Sequence, residues 1–198
     1  MTTANGRTAD HPIAPQFLER WSPRAFTGEA MSEKDLLTIL EAARWAPSAY
    51  NAQPWRFVYA LRGTPSWDKL LSLLLPFNQA WAKEAGALVF IVSATTLLPP
   101  GATERVPYRS HAFDTGAAWG FASLEAQRLG WHSHAMGGFD HERSPAELGL
   151  PADYRVEAAV AFGRLGDKSI LPEKLQAREV PAPREPLSAL AFDGAFKA

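Results

Sequence analysis

From Ser32 to Trp45 the apolar residues Leu36, Ile39, Leu40 and Ala43 recur at helical spacing, which predicts an amphipathic helix with one stripe turned inward. Ser32 is the expected N-cap and Asp35 lies near the positive helix end. Pro47 stops the helix, because the residue before a proline is driven out of the helical region. Trp55–Tyr59 alternates and is rich in β-formers, so it reads as a strand ended by Gly63-Thr64-Pro65. Ser66–Leu75 returns to helical spacing. Ala87–Val92 is apolar at every position, as expected of a strand buried on both faces and central in its sheet.

Leu97–Pro107 carries three prolines and a glycine, which argues against a regular element and for a surface connection. The longest helix follows, over His111–Leu129. Its low polarity suggests that protein encloses it, and Gly130 supplies the C-terminal stop. Trp131–Met136 and Arg155–Phe162 read as strands. Between them Ser144–Leu148 is a short helix, with Ser144 as N-cap and Pro145 at its first position. Met1–Asp10 is polar and expected to be flexible. Beyond Gly166 the chain is charged and proline-rich until the apolar patch Leu187–Phe192, so residues 167–198 form either a disordered end or an arm laid across a partner subunit.

Composition narrows the possibilities. The 198 residues, 46% of them hydrophobic, suffice for a single domain with a substantial core. A formal charge of -1 gives no broad electrostatic footprint, so nucleic acid is not an expected partner. Without cysteine there is no disulfide, thiol nucleophile or thiolate metal site, and redox chemistry needs a bound cofactor. The N-terminus lacks the apolar segment of a secretory signal and no apolar run is long enough to span a bilayer, so a cytoplasmic protein is expected.

Two segments carry candidate chemistry. Arg20-Trp21-Ser22-Pro23-Arg24 gathers two guanidiniums and a hydroxyl in a short loop suited to phosphate oxygens, with a solvated basic turn as the plain alternative. Ala46–Trp55 is a helix-to-strand loop of small residues and amides between prolines. It is either an ordinary capped turn or a site where backbone approaches a planar ring and amides meet a pyrimidine-like edge. Neither a Gly-x-Gly-x-x-Gly fingerprint nor a Walker lysine loop is present.

The Arg20–Arg24 turn, followed by the Pro-Ser-x-x-Asn-x-Gln-Pro-Trp loop at Pro47–Trp55, resembles the nitroreductase family. Phe77-Asn78-Gln79-Ala80-Trp81 and Met136-Gly137-Gly138-Phe139-Asp140 extend the likeness in order, and it covers about Pro15 to Phe192. The resemblance implies an α+β fold with a central, mostly antiparallel sheet flanked by helices. It also implies a homodimer whose extended termini embrace the partner, with FMN at the interface. By the same resemblance Arg20, Trp21, Ser22 and Arg24 hold the phosphate, ribityl chain and pyrimidine edge, while Pro47, Ser48, Ala49 and Asn51 cover the ring from the other subunit. Asn78 meets the pyrimidine side, Met136, Gly137 and Gly138 pass backbone near N5, and Arg184 closes on the phosphate, with Lys174 and Arg178 as alternatives.

The implied reaction is ping-pong. NADH or NADPH delivers hydride to flavin N5, and a small acceptor such as a nitroaromatic, quinone, enal or aldehyde then removes it. No side chain is indispensable as an acid or base, because the cofactor carries the reactivity. Two departures stand out. Trp81 occupies a position where several relatives have lysine, removing a cation from the presumed flavin edge, and Thr95–Ser110 is shorter than the helical excursion of relatives with broad nitroaromatic activity. Two rival readings remain: a non-catalytic flavin-binding protein, and a metal enzyme built on His132, His134, His141 and Glu142.

Overall fold

The computed structural model describes residues 1–197; Ala198, the last residue of the expected arm, lies outside them. Strands β1 (Thr3–Ala4) and β2 (Arg7–Thr8) form a small hairpin, followed by helices α1 (Gln16–Glu19) and α2 (Glu33–Arg44). Strand β3 (Trp55–Leu61), helices α3 (Trp67–Ser72) and α4 (Pro76–Ala82) and strand β4 (Ala87–Ala94) come next. Strands β5 (Thr96–Leu97) and β6 (Val106–Pro107) lead to the 18-residue helix α5 (His111–Arg128). The chain continues through β7 (His132–Met136), α6 (Ser144–Glu147), β8 (Tyr154–Gly163) and α7 (Glu173–Gln176).

The main sheet has the order β3-β4-β8-β7, with every ladder antiparallel. This is the α+β architecture with a central antiparallel sheet that the sequence implied. Strand β4 is central and buried at all eight positions. Its pleat divides the core: Leu88, Phe90 and Val92 enter one apolar cluster with Trp81 and Phe139, while Ala87, Val89 and Ile91 enter the other with α2 and α5. Strand β8 does the same with Ala159 and Ala161 on one face and Val160 and Phe162 on the other. Such burial of apolar surface on both faces is the main stabilising contribution to the fold.

Local signals held where backbone chemistry was strong. Ser32 caps α2 by accepting from the Asp35 N–H at 3.0 Å, and Gly130 follows α5 with φ 75°, the left-handed backbone that favours glycine. Elsewhere tertiary context prevailed. The helix expected through Leu75 stops at Ser72, because Leu75 precedes Pro76 and adopts ψ 151°, and a separate helix α4 starts at Pro76. The connection at Leu97–Pro107 is not wholly irregular, since β5 and β6 pair at its two ends. Ser144 is not the N-cap of α6. Arg143 holds that position, and Asp140 Oδ1 accepts from the Glu142 and Arg143 N–H groups at 3.2 and 2.9 Å.

Helix α5 is only half enclosed by its own chain. Phe113 is 83% exposed and Phe121 is exposed as well, while Ala118, Ala122 and Ala126 are buried against α2 and the sheet. The C-terminal region after β8 packs first on its own subunit, burying Leu171, Leu175 and Glu179. Its end, including Leu187, Leu190 and Phe196, is exposed. No helix among the described residues is long and apolar enough to cross a membrane.

Candidate functional site

Helix α1 ends at Glu19, and the chain leaves it in extended conformation at Arg20 (ψ 126°). The Arg20–Arg24 turn that follows is held by the C-terminal arm. Glu179 Oε1 accepts from the backbone N–H groups of Arg24 and Ala25 at 2.5 and 2.8 Å, and Glu179 Oε2 lies 3.7 Å from the Arg24 guanidinium. A buried carboxylate that meets two backbone donors and a cation is well compensated.

Above this turn lies a cavity of about 350 Å³ lined by Arg7, Arg20, Trp21, Ser22, Arg24, His134, Arg178, Val180, Ala182 and Arg184. Five guanidiniums thus face one small space, and among the described residues only Arg24 has an ion-pair partner. Burial, then the nearby charges of Arg184 and Arg7, push the Arg20 guanidinium below its ordinary range. Burial and Arg184 do the same to Arg7. Clustered, uncompensated cations of this kind can hold an anion, and forked guanidiniums suit a phosphate. The structure therefore brings together Arg20, Trp21, Ser22, Arg24 and Arg184. Arg178 joins them and Lys174 does not line the cavity.

Pro47, Ser48, Ala49 and Asn51 are not part of that cavity. Ser48 Oγ accepts from the Gln53 N–H at 3.0 Å, and the Ala49 N–H donates to Asp114 Oδ2 at 3.0 Å. Tyr108 donates to the same Asp114 oxygen, and its hydroxyl lies 3.0 Å from the Ala49 carbonyl oxygen. Burial and the Asp114 carboxylate together raise the Tyr108 pKa. Tyr50, Asn51 and Gln53 all have φ between 46° and 55°, a conformation uncommon for residues with side chains. The loop is fastened from behind by α5 while Tyr50 is 79% exposed in front.

A third group closes on the end of β7. Asn78, on α4, donates from Nδ2 to the Gly138 carbonyl at 2.9 Å, and the Leu75 N–H donates to the same oxygen at 3.0 Å. A Cβ on Gly138 would stand 2.6 Å from Asn78 Nδ2, so any side chain there would push the Asn78 amide aside. At Gly137 a Cβ would meet nothing within 4 Å, which leaves that backbone open to a flat partner. Met136 is buried in the core. Trp81 is 1% exposed, tilted against His134 with ring centroids 4.7 Å apart and against Phe26 at 6.1 Å.

The histidines separate rather than converge on a metal. His134 is within hydrogen-bond distance of the Pro23 carbonyl (3.0 Å), and burial lowers its pKa to about 4, so it is neutral near pH 7. His132 stands edge-on to Trp21, and burial and Arg164 lower its pKa. His141 packs on Phe139. Among the described residues no three His, Cys, Asp or Glu side chains group as metal ligands. His134 instead lines the arginine cavity, a role its placement one strand alternation from His132 did not reveal. Arg7, Tyr108 and Asp114 were also missed. Asn5-Gly6 is the signal for the hairpin that carries Arg7, and the acidic Asp114 in the first turn of an apolar helix marks the loop anchor.

Residues 18–164 match the nitroreductase family model. A solved structure described as an oxidoreductase containing FMN is 48% identical, covers 100% of this chain and 99% of its own, and superposes with a TM-score of 0.96. An NADH dehydrogenase of Thermus thermophilus is 30% identical over 190 residues, which covers 82% of this chain and 91% of that protein. A putative nitroreductase of Desulfovibrio desulfuricans, solved in complex with FMN, shares the fold with a TM-score of 0.70 at 24% identity over 96% of this chain and 100% of its own. The arginine turn, the Pro47–Trp55 loop, the Asn78–Gly138 junction and the sheet order thus stand in a chain that belongs to the nitroreductase family.

Proposed function

We propose that this protein is a cytoplasmic, FMN-dependent oxidoreductase that uses NADH or NADPH to reduce a small organic acceptor. The observation that carries the reading is the arginine cavity, whose surplus of guanidiniums fits the phosphate monoester of FMN. FMN held there would supply hydride-transfer chemistry between the nicotinamide and a nitroaromatic, quinone, enal or aldehyde. Arg20, Arg24, Arg178 and Arg184 would hold the anionic end, and Ser22 would add a hydroxyl. Asn78, oriented by the Gly138 carbonyl, presents its amide beside the open backbone of Gly137. Trp81, buried in the core, supplies no charge.

The chain completes the anionic end alone but leaves the Pro47–Asn51 loop outside that cavity, which favours a homodimer in which the loop serves the partner's ring site. The exposed Phe113 and Phe121 flank of α5 supports the same assembly, because Gly116 and Gly120 leave open space for close packing. The exposed Leu187, Leu190 and Phe196 are the arm residues left to cover a partner.

Purified protein should be yellow, dimeric by light scattering and bleached anaerobically by NADH or NADPH. Protein that binds FMN but is not reduced by either nicotinamide would instead be a flavin-binding module. A monomer with no affinity for FMN would end the proposal.

A further inference from the structure

We propose that Arg7, on the N-terminal hairpin, is a further phosphate-site residue that fastens the two walls of the arginine cavity and adds its own charge to it. The proposal deepens the FMN reading and rests on it for the identity of the ligand. Arg7 lies outside the family-matched residues 18–164 and in no segment that the sequence motifs singled out.

The hairpin is sharply defined. Asn5 and Gly6, with φ 53° and 69°, turn β1 into β2 and pair Ala4 with Arg7. Positive φ at both central residues suits the right-handed twist of paired strands, and Asn-Gly accepts it readily. From this position the Arg7 fork reaches both sides of the cavity. Nη2 donates to the carbonyls of Leu18 and Arg20, the latter at 3.0 Å, and Nη1 donates to the Ala182 carbonyl at 3.4 Å. Arg7 thereby ties the Arg20 turn to the C-terminal arm.

A further observation points to an anion. The Arg7 guanidinium shares the cavity with those of Arg20 and Arg184, with no carboxylate paired to any of the three among the described residues. Burial and Arg184 accordingly push the Arg7 pKa down. Packing like charges together is unfavourable until an anion compensates them.

The test compares FMN with riboflavin, which has the same ring and no phosphate. In the full-length protein, Arg7→Ala should weaken FMN binding about tenfold or more, as expected for loss of a charge-assisted interaction, while riboflavin affinity stays within about twofold. Inorganic phosphate should raise the melting temperature of the wild-type protein and not that of Arg7→Ala. Should Arg7→Ala fail to fold, Arg7→Lys carries the comparison, because one ammonium cannot span Leu18, Arg20 and Ala182; a severalfold loss for FMN alone is expected. Equal losses for FMN and riboflavin, or wild-type FMN affinity and phosphate response in the variant, would overturn the assignment. A wild-type protein that responds to phosphate but not to FMN would sink the flavin reading and leave Arg7 as an anion ligand.

Discussion

At the arginine cavity, residues from positions 7 to 184 converge within one chain and bring charge that the chain does not neutralise, whereas the Pro47–Gln53 loop is fastened from behind and shows its front to solvent. The first is incomplete for want of a counter-charge. The second is incomplete for want of a covering surface. A small anion would answer the first and a covering surface the second, so the two halves should respond to different perturbations.

The largest expected separation comes from Arg20→Ala. Removing one forked guanidinium from the cavity should weaken FMN binding about a hundredfold, read by fluorescence titration of the apoprotein, without changing the oligomeric state. Stoichiometric flavin in that variant would break the comparison.

Acid comes next. The folded protein holds His134 neutral down to about pH 4, whereas the unfolded chain takes up a proton near pH 6.5. Stability is therefore full above about pH 6.5, is lost as pH falls towards 4, and levels off below, a loss on the order of 3 kcal/mol. His134→Gln should reduce the difference between urea unfolding at pH 7 and at pH 4.5. An unchanged difference would mean that acid sensitivity originates elsewhere.

Asp114→Ala probes the loop half. It leaves the Ala49 N–H and the Tyr108 hydroxyl without their carboxylate and should cost about 2 kcal/mol in chemical denaturation. Phosphate should stabilise this variant as much as wild type, since the arginine cavity is untouched. The smallest effect separates two neighbouring glycines. Gly138→Ala must displace Asn78 and should cost about 1 kcal/mol. Gly137→Ala meets open space and should stay within about 0.5 kcal/mol, so equal costs would contradict the described junction.

Legibility in the sequence followed the range of the interactions. Helix α2 and its Ser32 cap, strand β4 and the Gly130 stop are written in residues a few positions apart, and each was readable from them. The Arg20–Arg24 turn and the Asn78–Gly138 pair were legible as motifs, although their juxtaposition was not. For helix α5 the low polarity did not say which protein surface would enclose it: its own chain buries Ala118, Ala122 and Ala126 and leaves Phe113 and Phe121 exposed. Arg7 lies 175 residues from the Ala182 carbonyl it binds, and no local pattern encodes that contact. The Asn5-Gly6 signal was present, but its flanking residues are too polar to announce a strand.

That separation also dictates timing during synthesis. Domains form as the polypeptide emerges from the ribosome, and the core sheet is complete once β8 has been made. The arginine cavity waits for Arg184 and for the Leu187 N–H that donates to Asp10, so its two walls meet only after the arm beyond β8 has been made. A chain that stopped at β8 would lack Arg178 and Arg184 as well as the Glu179 carboxylate that holds the Arg20–Arg24 turn, so the cluster of guanidiniums belongs to the last stage of folding rather than to the first.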